Sequence, residues 1–536
     1  MSTTIWKIWV NWDRNTSVDP FDNVADRALS AHWFLGMRHP YQTAGDDGML
    51  TLVLDNVDRR YSPEYEGSPL YGKVAPFKPI YVQSVRDGVT RVMWHGWIER
   101  IEPAVGLHGE RAVQITASGP MPFLRAAETR LPLQENLRAD QILAALIGEV
   151  VFPPALSAAW ILGRADNGKL NSSTYLANPA TAYDFETGIA TFAMAADNWV
   201  RYASEIANQD GDTYTVYQAI SDVSAAERGR FYFDRDGKAR FWNRHHTQDE
   251  VTADATYDDS MVGMDYTFAD SDDLKNEIVV TCHPRTVSPT YDEVLWKLTS
   301  PVRVPRGETR TLTARYTDES GNRIGGRSVT ITDVVYGVDS NSPQDGGTLR
   351  LMQGANSATL EVTAPQERDV ILSGCTLRGQ KITDFGQMDA QASDLFSVAD
   401  YGRRTMKLNL RALDNLEDAQ RLADYELSRR KAARGMVKAL HLKSHGIMGG
   451  SAHDAQLMTT IGSRVIIKES QTYHGKTGTS AAQKASYLVI GEAHRLTQGA
   501  TLLETTWYLE PTPETYPWKL GTVGRGELEI NTGLAF

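Results

Sequence analysis

The chain has few cysteines and no long apolar run, and each absence excludes a class of protein. Cys282 and Cys375 are the two cysteines among 536 residues, whereas secreted disulfide-stabilised proteins usually carry more. We expect both to be buried free thiols in strands. No apolar stretch approaches the ~20 residues that span a bilayer, and the N-terminus lacks the basic and apolar regions of a signal peptide. We therefore expect folding in a cytoplasm and no stable membrane insertion.

The sequence also lacks an excess of positive charge and the common catalytic motifs. The formal net charge is −12, which argues against a broad basic surface and against a sequence-specific nucleic-acid partner. There is no H-E-x-x-H zinc motif, no paired C-x-x-C and no dinucleotide-binding glycine pattern. We therefore predict that the chain is not an enzyme, and we name no catalytic, cofactor-binding or metal-binding residue and no cofactor.

Two segments contain residue patterns that resemble active-site motifs. Residues 470–477 read SQTYHGKT, a phosphate-binding-loop pattern with Ser470 in place of the first glycine. A working phosphate loop leads into a helix, but this segment returns to a strand pattern, so we favour a polar hairpin loop. Residues 446–454 hold a serine, a histidine and an aspartate, but no G-x-S-x-G elbow surrounds the serine. We expect a loop there as well.

What the sequence does contain is ordinary globular composition and a strong strand pattern. Hydrophobic residues make up 41% and charged residues 23% of the chain, and its length allows several domains. Near the start, Trp6, Ile8, Val10 and Trp12 recur at every second position, as in a strand. Further strands are predicted at 49–54, 80–85, 92–101 and 111–117. Short strands at this spacing indicate a small barrel or sandwich.

Three helices are predicted in the rest of the chain, the first from the helical stripe of Ile142, Leu143, Leu146 and Ile147. Residues 215–228 place apolar side chains at helical spacing, and Gly229 lies where a C-terminal glycine cap belongs. Residues 416–434 form a longer apolar stripe, which Asp414 or Asn415 can cap. Strand patterns return after each helix, so the middle of the chain is predicted to be mixed α and β.

The stretch GRFYFDRDGKARFWNRHH, at residues 229–246, holds acidic residues and two histidines that suggest a metal site. An EF-hand calcium loop needs glycine at its sixth and glutamate at its twelfth position. Counted from Asp234, glycine comes fourth and His245 twelfth, so the spacing does not fit. Asp236-Gly237 is a strong hairpin-turn signal. We therefore predict a β-hairpin over residues 230–244.

The two strand-rich ends of the chain resemble each other. KPIYVQSV, MWHGWIERIEP and GERAVQITASGP follow one another near the start, and SRVIIKES, YLVIGEAHRLTQG and TLLETTWYLEP do so near the end. Aligning Gly96 with Gly491 matches the two series. Either one small barrel is used twice, or two β-rich segments are similar by chance. If it is used twice, three copies of the chain would supply six barrels.

The predicted fold class is mainly β with an α+β middle region: two related small β-barrel domains, a helix/hairpin domain and a β-sandwich-like insert. The predicted domains are an N-terminal barrel at 1–128, an α+β domain at 129–265 with the hairpin 230–244, a second barrel at 266–299 and 366–520 with the helix 416–434, an immunoglobulin-like insert at 300–365, and a C-terminal tail at 521–536.

An ordered series of segments over nearly the whole chain resembles a known family. LVLDNVDRRYSPEYEGSPLYG, then KPIYV and HGWIERIEP, then ERGRFYFDRDGKARFWNR, NEIVVTCHPR with SPVRVPRGETRTLTARY, and YLVIGEAHRLTQGATLLETTWYLEP look like the tail-tip (baseplate) hub proteins of long-tailed bacteriophages, also called minor tail proteins. These are similar in architecture to the baseplate hub of contractile-tailed phages. Residues 175–207 match this pattern less clearly.

The resemblance implies a structural virion component at the tail tip, made and assembled in the bacterial host cytoplasm. In that family the two barrels of each subunit form a pseudo-sixfold ring, so a homotrimer matches the sixfold tail tube. The implied role is to close the tube, to join the sixfold distal ring to tip fibres and to open for DNA ejection. The implied partners are the distal tail protein or tail tube protein, the tape-measure protein, and receptor-binding fibres or tip proteins. The working surfaces would be barrel edges and the loops at 55–72 and 470–480.

Two other functions stay open at this point. A carbohydrate-binding adhesin at the tail tip would use Trp94, Trp97, Trp242 or Trp507 to stack sugars, although at strand positions such residues are more often core or subunit interface. A cell-wall hydrolase is the second alternative. Some hub proteins carry a fused peptidoglycan-degrading domain, but the hub pattern here runs to about Pro513, so we expect none at the C-terminus.

Overall fold

The structure is a computed structural model that describes most of the chain. The described residues are 3–15, 18–104, 111–129, 131–153, 183–188, 191–196, 215–246, 253–257, 263–268, 272–337, 346–354, 357–446, 450–468, 485–497, 499, 501–512, 516–517 and 532–533.

The strands are numbered in chain order. They are β1 Ile5–Val10, β2 Ala28–Gly36, β3 Met49–Asp55, β4 Pro79–Arg86, β5 Val89–Pro103, β6 Ala112–Ser118, β7 Leu131–Arg138, β8 Tyr183–Phe185, β9 Thr191–Ala196, β10 Arg230–Phe233, β11 Ala239–Trp242, β12 Ala255–Tyr257, β13 Gly263–Phe268, β14 Glu277–Cys282, β15 Arg285–Val287, β16 Glu293–Lys297, β17 Val302–Val304, β18 Thr309–Arg315, β19 Gly325–Gly337, β20 Thr348–Gln353, β21 Ser357–Thr363, β22 Val370–Asp384, β23 Met388–Ser393, β24 Thr405–Asn409, β25 Gly435–His445, β26 Arg464–Ile467, β27 Ala485–Thr497, β28 Leu502–Pro511, β29 Tyr516–Pro517 and β30 Thr532–Gly533.

The described residues form fewer helices than strands. They are α1 Met121–Ala126, α2 Ala139–Gly148, α3 Val216–Glu227, α4 Leu395–Tyr401, α5 Leu416–Arg430 and α6 Ser451–Met458. A 3₁₀ turn spans Ala25–Arg27. In the described part of the chain, no helix is long and apolar enough to cross a membrane.

One large sheet joins the two ends of the chain. Its strands follow the order β1-β4-β5-β6-β3-β2-β27-β28-β25-β13, with β26 and β12 branching from β27. The predicted mainly β fold class with an α+β middle region is confirmed. The sheets do not close into barrels; along the described residues the two strand-rich ends are instead halves of one open sheet, because β2 pairs with β27.

The same strand order occurs twice in this sheet. The first repeat, β2–β6, runs β4-β5-β6-β3-β2, and the second repeat, β13 with β25–β28, runs β26-β27-β28-β25-β13. Each neighbouring pair within a repeat is antiparallel. The flanking strands differ, since β1 pairs with β4 antiparallel whereas β12 pairs with β26 parallel. The predicted duplication is therefore present in the strand topology.

Matching hydrogen bonds fix which residues of the two repeats are equivalent. The N–H of Phe77 donates to the carbonyl of Ile98 at 2.6 Å, and the N–H of Gly462 donates to the carbonyl of Val489 at 2.9 Å. In return, the N–H of Ile98 donates to the carbonyl of Lys78, and the N–H of Val489 donates to the carbonyl of Ser463, each at 2.9 Å. Ile98 in β5 is therefore equivalent to Val489 in β27.

A bulge directly follows each of these two residues. The register of β5 on β6 shifts between Ile98 and Arg100, and that of β27 on β28 shifts between Val489 and Gly491. Arg100 is thus the equivalent of Gly491. The sequence alignment of Gly96 with Gly491 is wrong by four residues, because Gly96 precedes the bulge of β5, whereas Gly491 directly follows the bulge of β27.

The predicted helix and hairpin of the middle region are both confirmed. Thr215 caps α3, accepting a hydrogen bond from the N–H of Gln218 at 3.2 Å. The helix ends with Arg228 in the left-handed conformation (φ 54°), whereas the sequence had suggested Gly229 for the cap. In the hairpin β10–β11, Gly237 has φ +75°, as the tight turn requires.

The longer helix is confirmed and ends four residues earlier than predicted, at Arg430. Asn415 caps it by accepting a hydrogen bond from the N–H of Glu417 at 2.8 Å. Its apolar face packs in one core with α1–α3, the hairpin and the sheet β23-β14-β24. This core lies beside the large sheet.

The insert forms two sheets with a core between them. One sheet holds β15, β16, β17, β19 and β22, and the other is β18-β21-β20. Leu360 and Val362 of one sheet are buried in the same cluster as Leu372 of the other, which is a sandwich arrangement. The strands belonging to it extend beyond 300–365, since β15 begins at Arg285 and β22 ends at Asp384. The division of the chain into domains stays a prediction.

Candidate functional site

The predicted contact loop at residues 55–72 exposes large apolar side chains. Val57 is 57%, Tyr71 51% and nearby Phe77 48% exposed. Tyr65 in the same loop is also exposed. That this loop forms a contact surface stays a prediction. The second predicted loop, 470–480, and the phosphate-loop-like segment 470–477 lie outside the described residues.

The four tryptophans that could have stacked sugars are buried. Trp94, Trp97 and Trp507 are 0% exposed and Trp242 is 7% exposed. The indole N–H of Trp94 donates to the carbonyl of Gly48 at 3.1 Å inside the first repeat. The prediction that these side chains belong to the core is confirmed, and none of them offers a face to a glycan.

The acidic residues and histidines of the hairpin are held by protein groups. Asp234 accepts hydrogen bonds from Arg240 at 2.7 Å and from the N–H of Lys238 at 2.9 Å. His246 bonds Glu186, and its ring stacks on Trp242 with centroids 4.3 Å apart. Among the described residues, no group of three or more His, Cys, Asp or Glu is placed to hold a metal ion.

The loop predicted at residues 446–454 is wrong for its last part, because Ser451, His453 and Asp454 lie in the first turn of α6. The side chains of His453 and Asp454 belong to a structural network. His453 hydrogen-bonds Thr4 through Nε2 at 2.7 Å and Ser444 through Nδ1 at 2.6 Å. Burial lowers the pKa of His453. Asp454 pairs with Arg86 at 2.5 Å rather than with the histidine. Both ring nitrogens are engaged in joining the N-terminal strand to the second repeat.

Buried ion pairs connect the hairpin to the second repeat. Glu492 on β27 accepts two hydrogen bonds from Arg235 of the hairpin, at 2.7 and 2.6 Å. Glu510 on β28 pairs with Arg230 of the hairpin and, at 2.6 Å, with Arg429 of α5. Both carboxylates are 0% exposed. The hairpin is therefore anchored to the large sheet through charged groups in the core.

A third buried carboxylate joins the two helices of the middle region. Glu426 on α5 pairs with Arg228 at the end of α3, at 2.8 Å, and with Arg430 at 2.7 Å. Burial alone would raise the pKa of Glu426, Glu492 and Glu510, but the facing arginines outweigh it and lower each pKa to about 2. All three stay ionised at neutral pH, so they cannot act as proton donors there.

The junction between the two repeats is a regular antiparallel pair. β2 pairs with β27 from Ala31 opposite Leu496 to Gly36 opposite Gly491. Leu35 of β2 is 2% exposed and lies opposite Glu492. Trp33 stacks on His494 across the junction, with ring centroids 5.2 Å apart. The junction thus buries aromatic, apolar and charged side chains together.

Two strand edges of the large sheet are open within the described residues. β13 is the last strand of the path and pairs with β25 on one side; its Phe268 is 66% exposed. β5 pairs with β6 as far as Pro103, but its pairing with β4 ends at Trp97. Beyond Ile98, one side of β5 therefore faces no described strand.

Sequence reasoning missed the buried carboxylates and their arginines. Glu492 lies in the apolar run YLVIGEAHRL and Glu510 near the end of a strand with inward-facing Trp507 and Leu509. Glu492 alternates with buried His494 and Leu496, and a charged residue at such an inward position is a signal that could have found it. Glu510 follows inward-facing Leu509 directly, so strand alternation gives no signal for it. Their arginine partners are more than 80 residues away or on another element, and only the fold brings them together.

No protein-family model matches the chain, and no curated protein matches its sequence. Several solved structures are similar in fold. A tail protein from Neisseria meningitidis MC58 is 11% identical, with a TM-score of 0.46 over 96% of this chain and 100% of that one. The 43 kDa tail protein of prophage MuSo2 from Shewanella oneidensis is 8% identical, with a TM-score of 0.42 over 94% and 97%.

A more distant likeness is to an E. coli component of the type VI secretion system that is described as similar to the T4 bacteriophage tail proteins gp27 and gp5. It is 9% identical, with a TM-score of 0.32 over 96% of this chain and 79% of that one. These are the kinds of protein that the sequence resembled. Because every identity is 11% or lower and every TM-score is below 0.5, the function has to be inferred from this chain's own residues.

Proposed function

We propose that this chain is a structural, non-enzymatic hub at the distal end of a bacteriophage tail. The observation that carries the proposal is the repeated strand order, β4-β5-β6-β3-β2 and β26-β27-β28-β25-β13, in one continuous sheet. A chain with two equivalent units presents six units when three copies assemble. Such a homotrimer matches a threefold tip to a sixfold tube, as the family resemblance of the sequence implies.

The hub would close the tail tube and open for DNA ejection. Its partners would be the distal tail protein or tail tube protein on the sixfold side, the tape-measure protein within, and receptor-binding fibres or tip proteins beyond. The apolar side chains of the loop at residues 55–72 suit such contacts. The site of action would be the virion, after synthesis in the cytoplasm of the bacterial host.

The oligomeric state and ring binding test this proposal. Light scattering of the purified chain at high concentration should give the mass of three copies, and the chain should bind purified tail-tube rings. A strictly monomeric chain that also does not bind the tail-tube rings would refute the proposal. Peptidoglycan zymograms should show no clearing, and a cleared band would overturn the non-enzymatic assignment.

The loop at residues 55–72 offers a sharper version of the ring-binding test. Tyr71 is 51% exposed, so Tyr71→Glu should weaken binding to tail-tube rings at least tenfold while the trimer mass stays unchanged. Tyr291 in the sandwich is 66% exposed and serves as the matched control, since Tyr291→Glu should leave ring binding as in the wild type. Equal ring binding by all three proteins would exclude this loop from the contact.

A further inference from the structure

We infer that the open edge of β13 in one copy pairs antiparallel with the open edge of β5 in a neighbouring copy, and that this contact repeats the internal β2–β27 junction. The inference rests on the proposed trimer and names the surface that would build it. The partner is therefore a second copy of this chain. Within one copy, β27 of the second repeat pairs with β2 of the first.

Because the two repeats are equivalent, the open edges of β5 and β13 correspond to the edges of β27 and β2 that pair with each other. β5 occupies the place of β27, because each is the second strand of its repeat, with its bulge at the same point. β13 occupies the place of β2, because each is the last strand of its repeat. β2 lies next to β3, and β13 lies next to β25. The pair β2–β27 is formed inside the chain, while the corresponding edges of β13 and β5 pair with no other described strand.

The register of the proposed contact is found by following paired residues from strand to strand across each repeat. In the first repeat, Arg100 pairs with Thr116 of β6, that residue with Thr51 of β3, and Thr51 with His32 of β2. The same count in the second repeat starts from Gly491, the equivalent of Arg100, and reaches Asp265 of β13 through Tyr508 and Ala439. Asp265 is therefore the equivalent of His32.

Transferring the internal pairs by this equivalence gives the residues that meet. Leu35 lies opposite Glu492 inside the chain, so its equivalent Phe268 would lie opposite Ile101 of the next copy. Thr267 would then lie opposite Glu102. No like charges face each other at these positions, which favours the pairing.

Exposure at the two edges supports the contact. Phe268 is 66% exposed, whereas its equivalent Leu35 is 2% exposed within the internal junction. Covering an exposed phenylalanine removes a large apolar area from water. Glu99, Arg100 and Glu102 are exposed along the β5 edge, and charges on an edge discourage pairing with unrelated strands. The edge is thus protected against wrong partners, while apolar Ile101 faces Phe268 of the neighbouring copy.

The proposed contact is head-to-tail, which is the type of contact that builds rings. Each copy offers one β13 edge and one β5 edge, which are different surfaces, and a heterologous contact of this kind generates a closed ring when its rotation is a fraction of a full turn. Because the contact between copies has the same geometry as the junction within a copy, each repeat is related to the next by the same rotation. Three copies then give six units around the ring.

Cysteine cross-linking tests the register directly. The double variant Glu102→Cys/Thr267→Cys places one thiol on each edge, and mild oxidation should give disulfide-linked dimers and trimers and no larger species. The native Cys282 and Cys375 are buried and do not compete. As a matched control, Thr267→Cys/Glu308→Cys puts the second thiol on an exposed residue of the sandwich and should give no trimer.

A charge substitution on β13 gives an independent readout. Phe268→Asp should weaken self-association at least tenfold by light scattering, whereas Tyr291→Asp, at a residue that is also 66% exposed, should not change it. Circular dichroism melts should show that both variants are folded.

The outcomes separate this inference from the proposed function. If the wild type is a trimer that binds tail-tube rings, but the Glu102/Thr267 thiols do not cross-link and Phe268→Asp still assembles, the edge pairing is wrong and the hub proposal stands. If the wild type is a monomer that does not bind the rings, both are wrong. Cross-linking to trimers together with loss of assembly in Phe268→Asp supports both.

Discussion

At the scale of single residues, the most consequential groups are charges placed in the core. Glu492 is fully buried between the hairpin and the second repeat, and Arg235 supplies two hydrogen bonds to it. A buried pair is weak support for stability as a whole, but removing one partner leaves a costly unpaired charge. The pair Arg235–Glu492 is therefore one of the contacts that hold the hairpin on the sheet.

Arg235→Met tests this pair. Leaving Glu492 buried without its partner should lower the free energy of unfolding by about 3–5 kcal/mol in urea titrations. Arg235→Met/Glu492→Gln removes the charge as well and should recover part of the loss. The control is Arg303→Met, whose side chain is 70% exposed in its pair with Asp369 and should change stability by less than about 1 kcal/mol. Equal losses in Arg235→Met and the control would contradict the role of burial.

Gly491 is required by close approach of the backbone rather than by its φ angle. A Cβ atom there would lie 2.0 Å from the carbonyl oxygen of Met37, where the chain leaves the junction strand β2. Gly491→Ala should therefore destabilise the protein by about 1–3 kcal/mol. Gly148→Ala is the control, since a Cβ at Gly148 meets no atom within 4 Å. Thermal unfolding followed by circular dichroism measures both, and equal melting temperatures would argue against this account.

At the scale of elements, local signals in the sequence placed the helices and the hairpin well. The capping residue Asn415 and the apolar stripe marked the start of α5, and Asp236-Gly237 marked the hairpin turn. Ends were less well placed, because α5 stops at Arg430 where the sequence pattern still reads as helix. The end of a helix depends on where the chain must turn to reach the next strand, here β25.

The cap of α5 provides a test at this scale. Asn415→Ala removes the acceptor for the N–H of Glu417, which is bonded at 2.8 Å, and should cost about 1 kcal/mol of unfolding free energy in urea titrations. Asn415→Asp keeps an acceptor oxygen and should remain near the wild type. If both variants were as stable as the wild type, the side chain would not be capping the helix in solution.

At the scale of the whole molecule, buried titratable groups make stability depend on pH. Burial lowers the pKa of His95 to about 4, and the arginines hold the pKa of Glu426, Glu492 and Glu510 at about 2. The unfolded chain binds protons on all of these groups more readily than the folded protein does. Stability is therefore lost as pH falls, first through the histidine range and then from about 4.5 towards 2.

Urea titrations at pH 7, 4.5 and 3 measure this dependence. We expect the steepest loss below pH 4.5, because there the three glutamates act together. Burial raises the pKa of Asp22 to about 6, which works in the opposite direction between about pH 4 and 6 and moderates the first part of the decline. Added salt should change the result little, since buried pairs are weakly screened. Constant stability from pH 7 to 3 would contradict the buried-pair account.

The sequence by itself determined the strand and helix types, the absence of the usual catalytic motifs and the repetition of one β pattern at both ends. These follow from local periodicity, turn residues and composition, which act over a few neighbouring residues. The tertiary structure decided that the two repeats share one open sheet through β2 and β27, that their true register is set by a bulge, and that Glu492 and Glu510 meet hairpin arginines. The junction and the ion pairs depend on contacts between residues hundreds of positions apart, and the bulge depends on the pairing of two separate strands. Local pattern carries no information about such contacts.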